Sequence, residues 1–164
     1  MLETPDADLT TEESAALAAV AKSFGLLRRA AERNLAEHGE LTRVQFEILS
    51  NLLGAPSGLR MFELADRLVV SRSGLTYQVK QLEKAGLLIR EEGADGQRSV
   101  SARITDAGRE LLTVRRAAYA QLIRSHFIDS FTPDELATVT TAFTRVVESF
   151  GSECPPPPGA DTRG

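Results

Sequence analysis

The stretch from Leu59 to Thr105, LRMFELADRLVVSRSGLTYQVKQLEKAGLLIREEGADGQRSVSARIT, constrains the fold more than any other part of the chain. It begins with a short amphipathic run, Met61 to Leu68, in which Phe62, Leu64, Ala65 and Leu68 supply apolar faces. Ala65 is small enough to let a second helix cross closely. Val69 and Val70 form a turn, and Ser71 is a good N-cap for a second helix. From Arg72 to about Ala85, Leu75, Val79 and Leu82 fall at i, i+4 and i+7, the inward stripe of that helix. Gly86 ends it. Leu87 to Arg90 and Val100 to Thr105 read as two strands, and Glu91 to Ser99 between them holds the turn formers Gly93, Asp95 and Gly96. Helix, tight turn, helix and hairpin in that order predict a winged helix-turn-helix, a shape that places its second helix in a DNA groove.

The outer face of the second helix carries Ser73, Thr76, Tyr77, Lys80 and Lys84. It is short, hydrogen-bonding and basic, with no carboxylate among those five, and Glu83 lies to one side. Base edges offer donors and acceptors, and phosphates demand cations, so a major-groove reader needs such a face. The candidate DNA-binding residues are Arg60, Ser71, Arg72, Ser73, Gly74, Thr76, Tyr77, Lys80, Lys84, Arg90 and Arg98. Arg98, near the wing tip, can enter the minor groove, where negative potential attracts arginine, or can pair with Asp95 to stiffen the loop. The net charge of -4 is unevenly spread. Between Arg60 and Arg103 eight basic residues outnumber six acidic ones, so the negative balance lies in the flanks. A basic-leaning centre in an acidic frame suits a module that touches phosphates with one face.

The flanks read as helices. Thr10 with Glu13 forms a capping box, and Leu17, Val20, Phe24, Leu27 and Ala31 then recur at spacings of three and four to about His38. Thr42 with Gln45 caps a short, very apolar helix containing Val44, Phe46, Ile48, Leu49, Leu52 and Leu53, expected to be a central strut. After the wing, Thr105 or Asp106 caps a helix to about Ile128. Thr132, Pro133 and Glu135 start the last one, striped by Leu136, Val139, Phe143, Val146 and Phe150. Regular stripes at opposite ends of a small chain point to packing between the ends or with a second subunit. The expected dimerisation residues are Leu17, Val20, Leu136, Val139, Phe143, Val146 and Phe150. The expected fold is mainly α with a small β-hairpin wing (α+β). Residues 1–9 form a flexible arm and residues 10–150 one domain. Within it a DNA-binding lobe covers about 42–105, and dimerisation helices cover about 10–38 and 106–150. Residues 151–164, with four consecutive prolines, form a disordered tail.

Other chemistry is poorly served. The single cysteine, Cys154, allows no internal disulfide, and His38 and His126 lie far apart, so no metal site is expected. No apolar run approaches the ~20 residues of a membrane span, and the polar start is no secretory signal, so a cytoplasmic location is expected. Paired carboxylates in a cleft, a phosphate-cradling glycine loop and a nucleophile with a neighbouring base are all missing, so no catalytic residue, enzyme activity or cofactor is expected. The competing reading keeps the winged module as a protein-interaction or dimerisation part without an operator.

Together these residues resemble the MarR family of bacterial transcriptional regulators. The resemblance runs from about Thr11 to Phe150 and is carried by Leu41-Thr42, Gln45-Phe46, Leu49, Leu64-Ala65, Leu68 and Val70-Ser71-Arg72-Ser73-Gly74-Leu75. It continues through Leu82-Glu83-Lys84-Ala85-Gly86-Leu87, Arg98-Ser99 and Ile104-Thr105-Asp106-Ala107-Gly108. The resemblance implies a triangular homodimer that straddles a palindromic double-stranded operator. It also implies repression relieved by a small ligand, often an anionic aromatic, bound between the two parts. Phe24, Leu27 and Phe46 are the candidate pocket residues. One departure is that Gly96 stands two residues before Arg98, where the family wing usually has an aspartate; the acid here is Asp95. The absence of an early cysteine, a histidine cluster and any tryptophan sets the chain apart from the peroxide-sensing, zinc-sensing and urate-responsive branches.

Overall fold

A computed structural model describes residues 8–37, 39, 41–92 and 100–150. The elements run α1 (Thr11–Ala36), α2 (Arg43–Leu53), β1 (Leu59–Arg60), α3 (Met61–Leu68), α4 (Arg72–Lys84), β2 (Leu88–Glu92), β3 (Val100–Ile104), α5 (Asp106–His126) and α6 (Pro133–Ser149). A single 3-10 turn, Ile128–Ser130, joins α5 to α6. The winged helix-turn-helix expected from sequence is present, with one addition. Leu59 and Arg60 form a two-residue strand on the free edge of β3, giving an antiparallel sheet ordered β1-β3-β2. Helix α5 ends at His126, slightly before the expected Ile128, and β2 is shifted from Leu87–Arg90 to Leu88–Glu92.

The capping signals operate as read. Thr10, Thr42 and Thr132 each accept the backbone N–H of the residue three later, and Glu13, Gln45 and Glu135 return a bond to the cap's own N–H. Ser71 Oγ accepts from Gly74 N at 3.2 Å and starts α4. At its other end Gly86 takes a left-handed φ of 72°, Gly86 N donates to Glu83 O and Leu87 N donates to Leu82 O. That Schellman closure reverses the chain from α4 into β2. The same closure ends α3, where Val69 N donates to Asp66 O and Val70 N to Ala65 O, but the left-handed residue there is Val69, at φ 51°. A β-branched side chain is strained in that region, and Val69 is also 78% exposed.

The core lies inside the winged module. Helix α2 is its strut: Ile48, Leu49 and Leu52 are fully buried, and the helix packs against α1, α3, α4, α5 and β3. Leu64, Leu75, Val79, Leu82, Leu88 and Leu112 close around it. Phe46 stacks on Tyr119 of α5 at 4.4 Å between ring centroids, and burial raises the Tyr119 pKa. Helix α5 is seated on the α4–β2 corner through Gly108, where a Cβ would lie 2.1 Å from the Leu87 carbonyl oxygen.

The terminal helices are different. Helix α6 has no buried residue within the single chain, and α1 buries only Ala31 and Leu35. Phe24 meets Phe143 edge-on at 5.8 Å and Phe127 at 6.0 Å, but Leu17, Val20, Val146 and Phe150 are all exposed. Residues 1–7 of the expected arm and the tail with Cys154, as well as His38 and residues 93–99 with Arg98, Asp95 and Gly96, lie outside the described residues. Among the described residues no helix is long and apolar enough to cross a membrane.

These backbones set two stability outcomes. Gly108→Ala drives a methyl into a carbonyl that cannot retreat, and should cost at least about 2 kcal/mol, lowering the melting temperature by roughly 5 °C or more. Val69→Gly releases the left-handed strain at some entropic cost, and should raise stability by about 0.5–1 kcal/mol. Thermal unfolding of the two variants checks both signs; a stabilised Gly108→Ala protein is incompatible with so close a seat.

Candidate nucleic-acid interface

Helix α4 buries Leu75, Val79 and Leu82 and turns Arg72, Ser73, Thr76, Tyr77, Lys80 and Lys84 outward, all exposed. Tyr77 is 62% exposed, so its ring and hydroxyl both stand free of the core. Ser73 Oγ lies 3.4 Å from Ser71 Oγ, at the first turn of the helix. Thr76 Oγ1 donates to Arg72 O at 2.8 Å, which leaves its lone pairs as acceptors for an incoming amino group. Gly74 packs against the Ser71 hydroxyl, 3.0 Å from where a Cβ would sit, and keeps the helix start narrow.

The cations divide into two groups. Arg60, Arg72, Lys80 and Lys84 make no side-chain hydrogen bond or salt bridge among the described residues. Arg60, at the N-cap of α3, and Arg72, at the start of α4, line one cleft with Thr76 and Val100 of β3. These two guanidiniums therefore flank the groove between recognition helix and wing, where phosphates can reach them. Arg90 belongs to the second group. Its Nε donates to Glu83 Oε2 at 2.8 Å and its Nη2 lies 2.7 Å from the same oxygen, and this hydrogen bond lowers the Glu83 pKa. Arg103 pairs in the same way with Glu91 at 2.6 Å, which raises the arginine's pKa further. The sequence signals that marked Arg90 as basic carried no sign of this partner, because Glu83 lies around a helix–strand corner.

The candidate pocket residues are not gathered around one cavity. Phe46 is buried in the core against Tyr119, Phe24 joins the Phe127–Phe143 aromatic group, and Leu27 lines a cavity of about 420 Å³ with Arg33, His126 and Phe131. A larger cavity, about 590 Å³, opens between the end of α1, the start of α2 and α4. Its walls include Glu32, Leu41, Arg43, Val44 and Gln78. Arg43 pairs with Glu47, and its Nε lies 3.7 Å from Glu32 without a hydrogen bond. Sequence reasoning missed this cavity because its walls come from three helices, each contributing residues that read as ordinary caps or polar faces. No cluster of His, Cys, Asp and Glu that could hold a metal occurs among the described residues.

Comparison with known proteins bears on what this arrangement is. A family model described as MarR family matches residues 40–99, which spans α2, the helix-turn-helix and the wing loop. The uncharacterised HTH-type transcriptional regulator YkoM of Bacillus subtilis is 30% identical over 115 residues, covering 70% of this chain and 73% of YkoM. The crystal structure of AbsC, a MarR family transcriptional regulator from Streptomyces coelicolor, superposes with a TM-score of 0.81 at 30% identity, covering 87% of this chain and 97% of AbsC. Sco3205 from the same organism, crystallised in complex with DNA, superposes with a TM-score of 0.83 at 28% identity, covering 87% and 94% of the two chains. With nearly the full length of AbsC matched at 30% identity, the chain belongs to the MarR family of transcriptional regulators.

Proposed function

We propose that the protein is a homodimeric, sequence-specific DNA-binding repressor that acts in the cytoplasm and is released from its operator by a small ligand. The observation that carries the DNA-binding part is the outward face of α4: hydroxyls at Ser73, Thr76 and Tyr77 beside cations at Arg72, Lys80 and Lys84, with no described carboxylate hydrogen-bonded to any of them. Such a face reads base edges and holds phosphates at once. The relative crystallised with DNA supports the same reading.

The homodimer reading is supported by α6. A capped 17-residue helix with an apolar stripe buries none of its residues in the single chain, and a second copy supplies the missing partner. Two copies bring two recognition helices, and a palindromic operator is the DNA that matches their two-fold symmetry. The ligand reading is supported by the cavity of about 590 Å³ between α1, α2 and α4, within the size range of small-molecule sites. Leu41 and Val44 in its wall favour an aromatic or aliphatic body, and Gln78 offers it a polar contact. A ligand there would touch Gln78 on the recognition helix directly.

Selection from sheared genomic DNA with the purified protein, at two salt concentrations and followed by sequencing, tests the central reading. A recovered palindrome with half-sites about one helical turn apart is the expected result. Only weak, salt-erased retention of all fragments favours the protein-interaction reading instead. On the recovered duplex, Lys80→Ala should weaken binding severalfold and flatten the dependence of log K on log salt by roughly 0.9 for each phosphate no longer neutralised. Val146→Asp places a charge in the exposed stripe of α6. It should shift the protein to monomer in sedimentation and reduce operator affinity by about 100-fold or more, since two linked half-site contacts become one.

A further inference from the structure

Glu83 and Arg90 join the last turn of α4 to the third residue of β2, seven positions apart across the Gly86 corner. Both arginine nitrogens converge on one carboxylate oxygen, at 2.8 and 2.7 Å. The two side chains are 33% and 34% exposed, so the pair sits at the protein surface beside the proposed DNA face. The neighbouring Glu91–Arg103 pair ties β2 to β3 at 2.6 Å. Arg60, Arg72, Lys80 and Lys84 on the same face have no such partner among the described residues.

We propose that Glu83 is a positioning residue for DNA recognition: through Arg90 it fixes the wing strand to the recognition helix and keeps that arginine from phosphates. The inference rests on the DNA-binding reading of α4. Its first half is mechanical. The recognition helix and the wing must enter neighbouring grooves of one duplex together, yet only Ala85, Gly86 and Leu87 connect α4 to β2. The side-chain pair adds a second tether beyond that corner, so the relative orientation is set before DNA arrives. Preorganisation of this kind lowers the ordering cost of binding. Its second half is electrostatic. A free arginine attracts any phosphate and strengthens binding to every sequence alike. Tied to Glu83, Arg90 contributes little to that sequence-independent attraction. Both effects raise the ratio of operator to random-DNA affinity. The hydrogen bond from Arg90 also lowers the Glu83 pKa, so the tether persists at acid pH where a free glutamate begins to protonate. An exposed ion pair does little for fold stability, so its loss should appear in recognition rather than in unfolding.

The experiment titrates wild type, Glu83→Gln, the double variant Glu83→Gln with Arg90→Gln, and the exchanged pair Glu83→Arg with Arg90→Glu against two probes. One is the operator duplex recovered by genomic selection; the other is a scrambled duplex of the same length. Each is measured between about 50 and 200 mM salt. Glu83→Gln should raise affinity for the scrambled duplex about threefold or more and steepen its salt dependence by roughly one counterion per subunit. The specificity ratio should fall about fivefold or more, and the exchanged pair should recover most of it. The double variant, which removes both charges together, should leave the salt dependence on the operator at the wild-type value, and all variants should melt within a few degrees of wild type. The proposal is overturned if this double variant flattens the salt dependence as much as Lys80→Ala does, because Arg90 then leaves Glu83 for a phosphate in the wild type. An unchanged specificity ratio in Glu83→Gln overturns it equally. Failure of the wild type to select any fragment is a different result: it removes the DNA-binding reading, and this inference with it.

Discussion

The first turn of α5 rests on the corner where α4 gives way to β2, and the geometry of the chain is transmitted through that contact. Thr105 Oγ1 donates to Gly86 O at 2.7 Å, Thr105 N donates to Leu87 O at 3.1 Å, and Thr105 Oγ1 accepts from Gly108 N at 3.1 Å to cap α5. Gly108 is seated so closely on Leu87 that any side chain would collide with its carbonyl. One threonine thus closes the recognition-helix corner and starts the next helix. Helix α5 then runs 21 residues, about 30 Å, to the terminal helices. The angle at which α4 is presented, relative to α1 and α6, is therefore set by this joint and by the Phe46–Tyr119 stack that clamps α5 to α2. The cavity of about 590 Å³ lies apart from this lever, where the end of α1, the start of α2 and α4 approach one another. A ligand seated there would meet α4 itself at Gln78, which is a physical route from a small molecule to the presentation of α4.

The charge pattern respects the same division. Carboxylates stand where arginines must be held in place: Glu47 and Glu32 around Arg43, Glu83 on Arg90, Glu91 on Arg103. Arg60, Arg72, Lys80 and Lys84 face solvent without such partners among the described residues. A net negative protein can thus keep one face attractive to phosphates, because local pairing rather than overall charge decides which cations remain available.

The winged module was legible in sequence because each of its elements carries a local signal. Leu75, Val79 and Leu82 repeat at helical spacing, Ser71 caps, Gly86 takes the left-handed turn, and the loop formers between Glu91 and Ser99 separate two apolar runs. Strand β1 was not legible, because two residues cannot display an alternation; Leu59 and Arg60 are strand only because β3 offers them a free edge. The Glu83–Arg90 pair and the Phe46–Tyr119 stack were hidden for a related reason. Their partners are brought together by a corner and by helix crossing, and neither leaves a periodic trace. The seat at Gly108 was visible as a motif residue, but a glycine in the first turn of a helix does not announce which carbonyl it makes room for.

Helix α6 raises the question of what keeps it helical. Its capping box and N-terminal proline favour initiation, but most of a helix's stability in a protein comes from packing its apolar face. Within the chain its strongest aromatic contact is Phe143 on Phe24, a ring pair whose own helix, α1, is mostly exposed. Val146 and Phe150 continue the stripe into open solvent, as do Leu17 and Val20 on α1. On the homodimer reading these two half-finished helices complete each other across a two-fold axis, and their folding and their assembly become one event. The recognition helices hang from that assembly through α5. Dilution below the dimer's dissociation constant would then weaken the protein twice. It would remove the second half-site contact, and it would loosen the terminal helices that hold the lever in place.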